Sequence, residues 1–191
     1  MTGKHRNGFS LFEMLIVVAI VGMIALATVP VAEITYIKTQ ETQLEKNMAD
    51  IRQAIALWKR DCRNVVVARY GYNKLFEVPD SQLYPPTLEA LTKSMSHPIL
   101  ATDGSILQDS VPSDIYFYSQ PYLQRIPQDP FVGAASWTIH CASGTTGFYE
   151  NGNTWMPASA SGVFDISCVD NTGNQRRGFV TAIDGTKYTD W

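Results

Sequence analysis

Hydrophobic and polar positions divide this chain into two regimes. From Met14 to Ala32 no residue carries a charge, and Glu13 stands at the N-terminal end of that run. About 20 apolar residues in a helix cross the ~30 Å hydrocarbon core of a bilayer, so the run reads as a membrane span. Beyond Pro30 the pattern becomes amphipathic. Leu44, Met48, Ile51, Ile55 and Trp58 recur at spacings of four, three, four and three, a helical stripe for burial against a sheet. Glu41, Glu45, Lys46, Asp50, Arg52 and Lys59 fall largely on the other faces. The two patterns together predict one helix from Phe9 to about Asp61, roughly 80 Å long at 1.5 Å per residue. A kink is expected near residues 26–30, because Pro30 removes a backbone donor and crowds the preceding turn.

The remainder reads as short elements. Val65-Val66-Val67 has strand composition but is soon interrupted by Gly71, Tyr72 and Asn73. Thr87 to Lys93, after Pro85-Pro86, reads as a short helix with Thr87 as its cap. Residues 94–120 hold turn formers and read as an irregular loop. Trp137–Cys141 and Val163–Val169 alternate with period two and are expected as strands, each with a cysteine on its apolar face. Between them, Ala142 to Gly162 is rich in Gly, Ser, Asn and Thr and reads as a long loop. Phe179–Ile183 and Thr186–Trp191 flank Asp184-Gly185, which signals a type I′ hairpin. The expected fold is α+β: a long N-terminal helix, partly transmembrane, packed on a small antiparallel sheet.

Length and composition narrow the function. The chain has 191 residues, room for one membrane helix and one modest soluble domain. Its formal charge is −3, which gives no support to nucleic-acid binding, since that wants a basic patch. Lys4 and Arg6 ahead of the apolar run place the N-terminus in the cytoplasm and everything after Pro30 outside it. Three cysteines in an oxidising compartment invite a disulfide. Cys141–Cys168 is the favoured pair, with Cys62 left over and its pairing with either partner still open. Catalysis finds little footing. His5 lies in the leader, and His97 precedes Pro98 in a loop. His140 and Cys141 are strand neighbours that point to opposite faces. The chain has no nucleophile elbow, metal-ligand cysteine cluster or phosphate loop, and is read as non-enzymatic.

The leader carries the most specific chemistry. An ordinary secretory signal is cut after its apolar region, whereas here the small residue Gly8 precedes it. A cut after Gly8 removes only the basic leader, takes away Lys4 and Arg6, and moves the formal charge from −3 to −5. The new ammonium on Phe9 would lie four residues from Glu13, on one helix face. The bland alternative is an uncleaved single-pass anchor with a stray acid.

Gly8, Phe9, Glu13, Gly22 and Pro30 together resemble the prepilin leader of type IV pilins and of the pseudopilins of type II secretion. Tyr84-Pro85-Pro86-Thr87-Leu88-Glu89-Ala90-Leu91 and Tyr122 to Phe131 are similar to two internal segments of the major pseudopilin, the G subunit. Phe131 stands where tryptophan is usual, and Gly133 comes one place late. The resemblance implies a cleaved leader (1–8), a transmembrane and assembly helix (9–32), its amphipathic half (33–62) and a periplasmic head (63–191). It implies cleavage after Gly8 and N-methylation of Phe9 by a prepilin peptidase, and pairing of Glu13 with a neighbouring subunit's N-terminus. It also implies that the helix can melt between Gly22 and Pro30 within a filament.

The implied partners are other copies of the chain, minor pseudopilins, an inner-membrane assembly platform and a cytoplasmic ATPase. The implied location is the bacterial inner membrane, and then a periplasmic filament. Family members bind calcium in a loop near the C-terminus. Asp170 and Asp190 match that pattern loosely, while Arg176, Arg177 and the missing Gly-Gly pair depart from it. The expected function is a pseudopilus subunit that helps export folded proteins. A type IV pilin for adhesion, motility or DNA uptake is the runner-up. A membrane-anchored periplasmic binding protein would not explain Gly8, Phe9 and Glu13 together. N-terminal peptide mass spectrometry of the mature protein should find N-methylated Phe9 as its first residue; a chain that still carries Met1 to Gly8 would favour the uncleaved anchor.

Overall fold

The computed structural model describes residues 10–93, 121–168 and 182–186. A single helix, α1 (Leu11–Tyr70), dominates it. By internal contacts the chain forms two units, Met1–Thr39 and Gln40–Trp191. In the first unit every described side chain is exposed except Ile37, which is half-buried. Helical structure continues through Gly22 and Pro30, so the proline does not end the helix.

In the second unit the amphipathic stripe is the core. Leu44, Met48, Ile51, Ile55 and Trp58 are all buried, and Cys62 and Val66 extend the stripe by two further turns. That extension is why α1 reaches Tyr70 rather than ending near Asp61. Val65–Val67 is helix, not strand: burial of Val66 on the stripe overrides the β-branched preference of the triplet. Gly71 stops the helix at φ 85, with its N–H donating to the Val67 carbonyl at 3.0 Å. A glycine just past a helix end adopts this conformation without Cβ strain.

Three 3₁₀ segments follow, Tyr72–Phe76, Asp80–Leu83 and Leu88–Thr92. The last replaces the expected short α-helix. The Thr87 side chain makes no cap hydrogen bond, but its carbonyl accepts from Ala90 N–H at 3.2 Å. Leu88, Ala90 and Leu91 bury completely, so the apolar spacing is satisfied within a single short turn.

The sheet has four antiparallel strands in the order β3-β2-β1-β4: β1 (Ser136–Cys141), β2 (Thr146–Glu150), β3 (Asn153–Trp155) and β4 (Val163–Ser167). The stretch expected as a long loop, 142–162, therefore contains a hairpin. Asn151 (φ 47) and Gly152 (φ 91) join Glu150 to its partner Asn153, the positive-φ pair of a type I′ turn. Asp184-Gly185 differs from expectation in the opposite direction. Among the described residues Asn151 is the only non-glycine with positive φ, so Asp184 cannot serve a type I′ turn. Instead Gly185 N–H donates to Ala182 O and Ala182 N–H to Thr186 O. That is a three-residue loop with glycine in the left-handed position. Cys141 to Thr145 repeats the same pattern through Gly144.

Trp137, Ile139 and Cys141 of β1 and Val163 and Ile166 of β4 pack into one cluster with the α1 stripe. Trp137 is fully buried, and its indole N–H donates to the Pro127 carbonyl at 2.9 Å. Trp137→Ala should cost about 3–5 kcal/mol of head stability, read as a lowered denaturation midpoint for the full chain in detergent; a change under about 1 kcal/mol would contradict the packing described.

Candidate functional site

The first unit presents a surface that water does not favour. Leu11, Phe12, Met14, Leu15, Val18, Val21, Met23, Ile24 and Leu26 are all exposed large hydrophobics, and they encircle the helix rather than forming one stripe. The 18-residue window that qualifies as a membrane span has no buried residue. Contiguous apolar surface of this extent marks a membrane or protein contact.

Glu13 is the one charge in it, placed in the first turn of α1. Met14 N–H donates to Ser10 O at 3.1 Å, which makes Ser10 the capping position and Glu13 the third helical residue. Ser-x-x-Glu is the spacing of a capping box, a second signal for a helix start in residues 10–13. Among the described residues Glu13 has no cationic partner. Burial of its carboxylate in lipid therefore requires one from outside the chain as described. Gly22 faces open space, with nothing within 4 Å of where a Cβ would sit, so close approach by a second helix is sterically open there. Pro30 lies within the helix. Gly8 and Phe9 lie outside the described residues.

The candidate polar chemistry in the head is structural. His140 Nε2 lies 3.0 Å from Ser167 Oγ, on the sheet face opposite the buried Cys141. Asp165 is the cross-strand partner of His140, and its carboxylate accepts from Arg52 Nε at 2.7 Å. Asp170 and Asp190, the candidate calcium ligands, lie outside the described residues. Among the described residues no group of three His, Cys, Asp or Glu is placed to hold a metal ion.

The Cys141–Cys168 bridge is not formed: Cys62, Cys141 and Cys168 are all free thiols. Strand register gives the reason. Cys141 stands opposite Val163, five residues before Cys168, and at ~3.3 Å per residue the separation far exceeds the reach of a disulfide. Both sit on the apolar face as expected, but at opposite ends of it. Burial pushes the Cys62 thiol up to about 12 and the Cys168 thiol up to about 11, and raises Cys141 as well.

Two comparisons bear on these features. Residues 3–29 match the prokaryotic N-terminal methylation motif. Over 160 residues the chain is 22% identical to the type II secretion system core protein G of Klebsiella michiganensis, covering 83% of this chain and 92% of that protein. No solved structure matches.

The buried thiols generate a prediction. In the folded chain all three should resist alkylation at pH 8 and react fully in denaturant, and non-reducing peptide mapping should show no bridge. Their raised values stabilise the protonated thiols, so stability should fall as pH rises above the ordinary value of 9.0 and continue falling through about 11 to 12. A stability flat across that range would contradict the burial.

Proposed function

We propose that this chain, for which the methylation motif and the type II secretion relative support a pseudopilin-like family, is a structural subunit of a pseudopilus. The observation that carries the reading is the α1 surface from Leu11 to Leu26: uncharged but for Glu13, and wholly unburied within the chain. One long apolar helix fits a single-pass membrane anchor before assembly. After assembly the same surface would be covered by its equivalents on other copies, which replaces lipid with protein without exposing it to water. Glu13 would pair with the N-terminal ammonium of a neighbour, and each charge would satisfy the other in a dry environment. A prepilin peptidase would release that ammonium by cutting after Gly8 and methylate Phe9.

The role is non-enzymatic, and the energy for extraction from the membrane would come from a cytoplasmic ATPase acting through an inner-membrane platform. The head would lie in the periplasm, and minor pseudopilins would join the same filament. The extent of the match to a secretion protein favours this reading over a type IV pilin.

The test is deletion of the gene, scored for exported enzymes and for surface pili. Enzymes trapped in the periplasm with pili intact support the proposal; lost pili with export intact would transfer the chain to the pilin class. Glu13→Ala should then abolish filament assembly while leaving membrane insertion unchanged. Glu13→Gln separates the two roles of the carboxylate, since it keeps hydrogen bonding at the helix start but not the charge. Normal filaments from both variants would overturn the registration role.

A further inference from the structure

Within the second unit a groove of about 640 Å³ runs beside α1, inside the usual ~300–1,000 Å³ of small-ligand clefts. One wall is the helix itself. Gln43, Asn47, Asp50 and Ala54 recur at spacings of four, three and four and share one face. The other wall is the irregular segment from Tyr122 to Pro130. Both walls are fixed. Leu123 N–H donates to the Leu91 carbonyl at 3.0 Å, and Asn47 Nδ2 donates to the Gln128 carbonyl at 2.6 Å. The Tyr122 hydroxyl donates to Asp61 at 3.0 Å, and its ring centre lies 5.6 Å from that of Trp58. A groove with walls held in this way loses little freedom when a ligand enters.

We propose that this groove binds a short neutral glycan. Five carboxamides line it, those of Gln43, Asn47, Gln53, Gln124 and Gln128. Each offers a donor and an acceptor side by side, the pairing that neighbouring sugar hydroxyls require. Gln43 Nε2 donates to Asn47 Oδ1 at 2.7 Å, which leaves the Gln43 carbonyl oxygen and a second N–H for a ligand. Asp50 and Arg125 are the charged groups among the described lining residues, and they cancel, so the groove favours no ion. A carboxylate accepts from two hydroxyls and a guanidinium donates to two oxygens, and the charge strengthens both contacts. The Tyr122 ring, with Leu57 and Pro127, presents an apolar surface to the C–H face of a sugar. The carboxamides on the helix extend from residue 43 to residue 53, about 15 Å along the axis, which suits several linked rings better than one. Other occupants fit worse. An apolar helix laid in the groove would leave its carboxamides unpaired. An extended peptide gains its affinity by adding to a sheet edge, and none of the four strands lines this groove. The inference is separate from the filament reading, because it uses neither the apolar helix nor a second copy.

The test is saturation-transfer NMR on the full chain, held in a detergent without a sugar headgroup. The probes are cellotriose and triacetylchitotriose, which share linked hydroxylated rings and differ in the acetamido groups of the second. Saturation reaching the ring protons of either probe supports the site. The stronger of the two shows whether the carboxamides read hydroxyls or acetamido groups. Gln53→Ala with Gln124→Ala should weaken binding about tenfold, the loss of two or more neutral hydrogen bonds. Both side chains are exposed, so the denaturation midpoint should stay where it is. Glu45→Ala, on another face of the helix, should leave binding unchanged. Failure of both sugars to bind, or undiminished binding by the double variant, would overturn the proposal. So would binding of trialanine where neither sugar binds, which would transfer the groove to peptides.

Discussion

Every feature of this protein depends on one helix that must satisfy two different demands for burial. α1 runs as one helix from Leu11 to Tyr70, and a helix pairs its backbone groups internally, the arrangement that a lipid interior requires of a crossing segment. The side chains then decide what covers it. Around residues 11–26 they are apolar on all sides but for Glu13, and no described residue of the chain covers them. From Leu44 to Val66 they are apolar on one stripe only, and a sheet and three short turns supply the cover. The change from one regime to the other needs no break in secondary structure, only a change in the period of the hydrophobic pattern.

The cover is fixed in place by polar contacts that ascend α1 in chain order. Glu41 accepts from Ile183 N–H at 2.9 Å, and Asn47 donates to the Gln128 carbonyl. Arg52 reaches Asp165 and the Ile166 carbonyl. Lys59 reaches Asp80 and the Tyr84 hydroxyl, and Tyr122 donates to Asp61. Each contact ties a different loop or strand to one helix, at intervals of a turn or two. Exposed ion pairs contribute little individually. What these contacts supply is register: loops without secondary structure acquire a defined position because each has one polar anchor on a rigid rod. The half-buried Arg52 pair is the strongest of them by geometry, since its guanidinium serves a carboxylate and a backbone carbonyl together.

Legibility in the sequence followed the length over which a pattern repeats. The apolar run and the stripe from Leu44 to Trp58 each extend over several turns, and both stand where the pattern puts them. Trp137–Cys141 and Val163–Val169 were readable because alternation persisted for several residues, although β4 ends at Ser167. The β2–β3 hairpin was not, because β3 has only three residues and Thr, Asn and Gly dominate its surroundings. Asn151-Gly152 carried the hairpin signal locally, but no alternating hydrophobic run flanks it. Asp184-Gly185 carried the same signal and forms a different turn, so the dipeptide alone does not choose between the two. Cys141 and Cys168 were placed on the correct face, but their separation comes from the β1–β4 register, with Cys141 opposite Val163, a long-range pairing that no local pattern encodes. For the assembly surface, Glu13 was legible because one charge in an apolar field needs no alignment to stand out. The carboxamide-lined groove beside α1 was not, because it depends on which segment folds against the helix.

The sheet order β3-β2-β1-β4 leaves two edges, and neither offers a long free ladder to a further strand. At the β4 edge, Val163 N–H donates to the Pro85 carbonyl and the Ile166 carbonyl accepts from Arg52, so those backbone groups are already engaged. The β3 edge is only three residues long and ends at a bulky, exposed Trp155. Short edges and edges blocked by charged side chains are how native sheets avoid templating a neighbour. Pairing of a further strand with this sheet is therefore disfavoured at both edges. Under the proposed filament reading, self-association would fall to the helices, whose contacts can be made and undone without unfolding a strand.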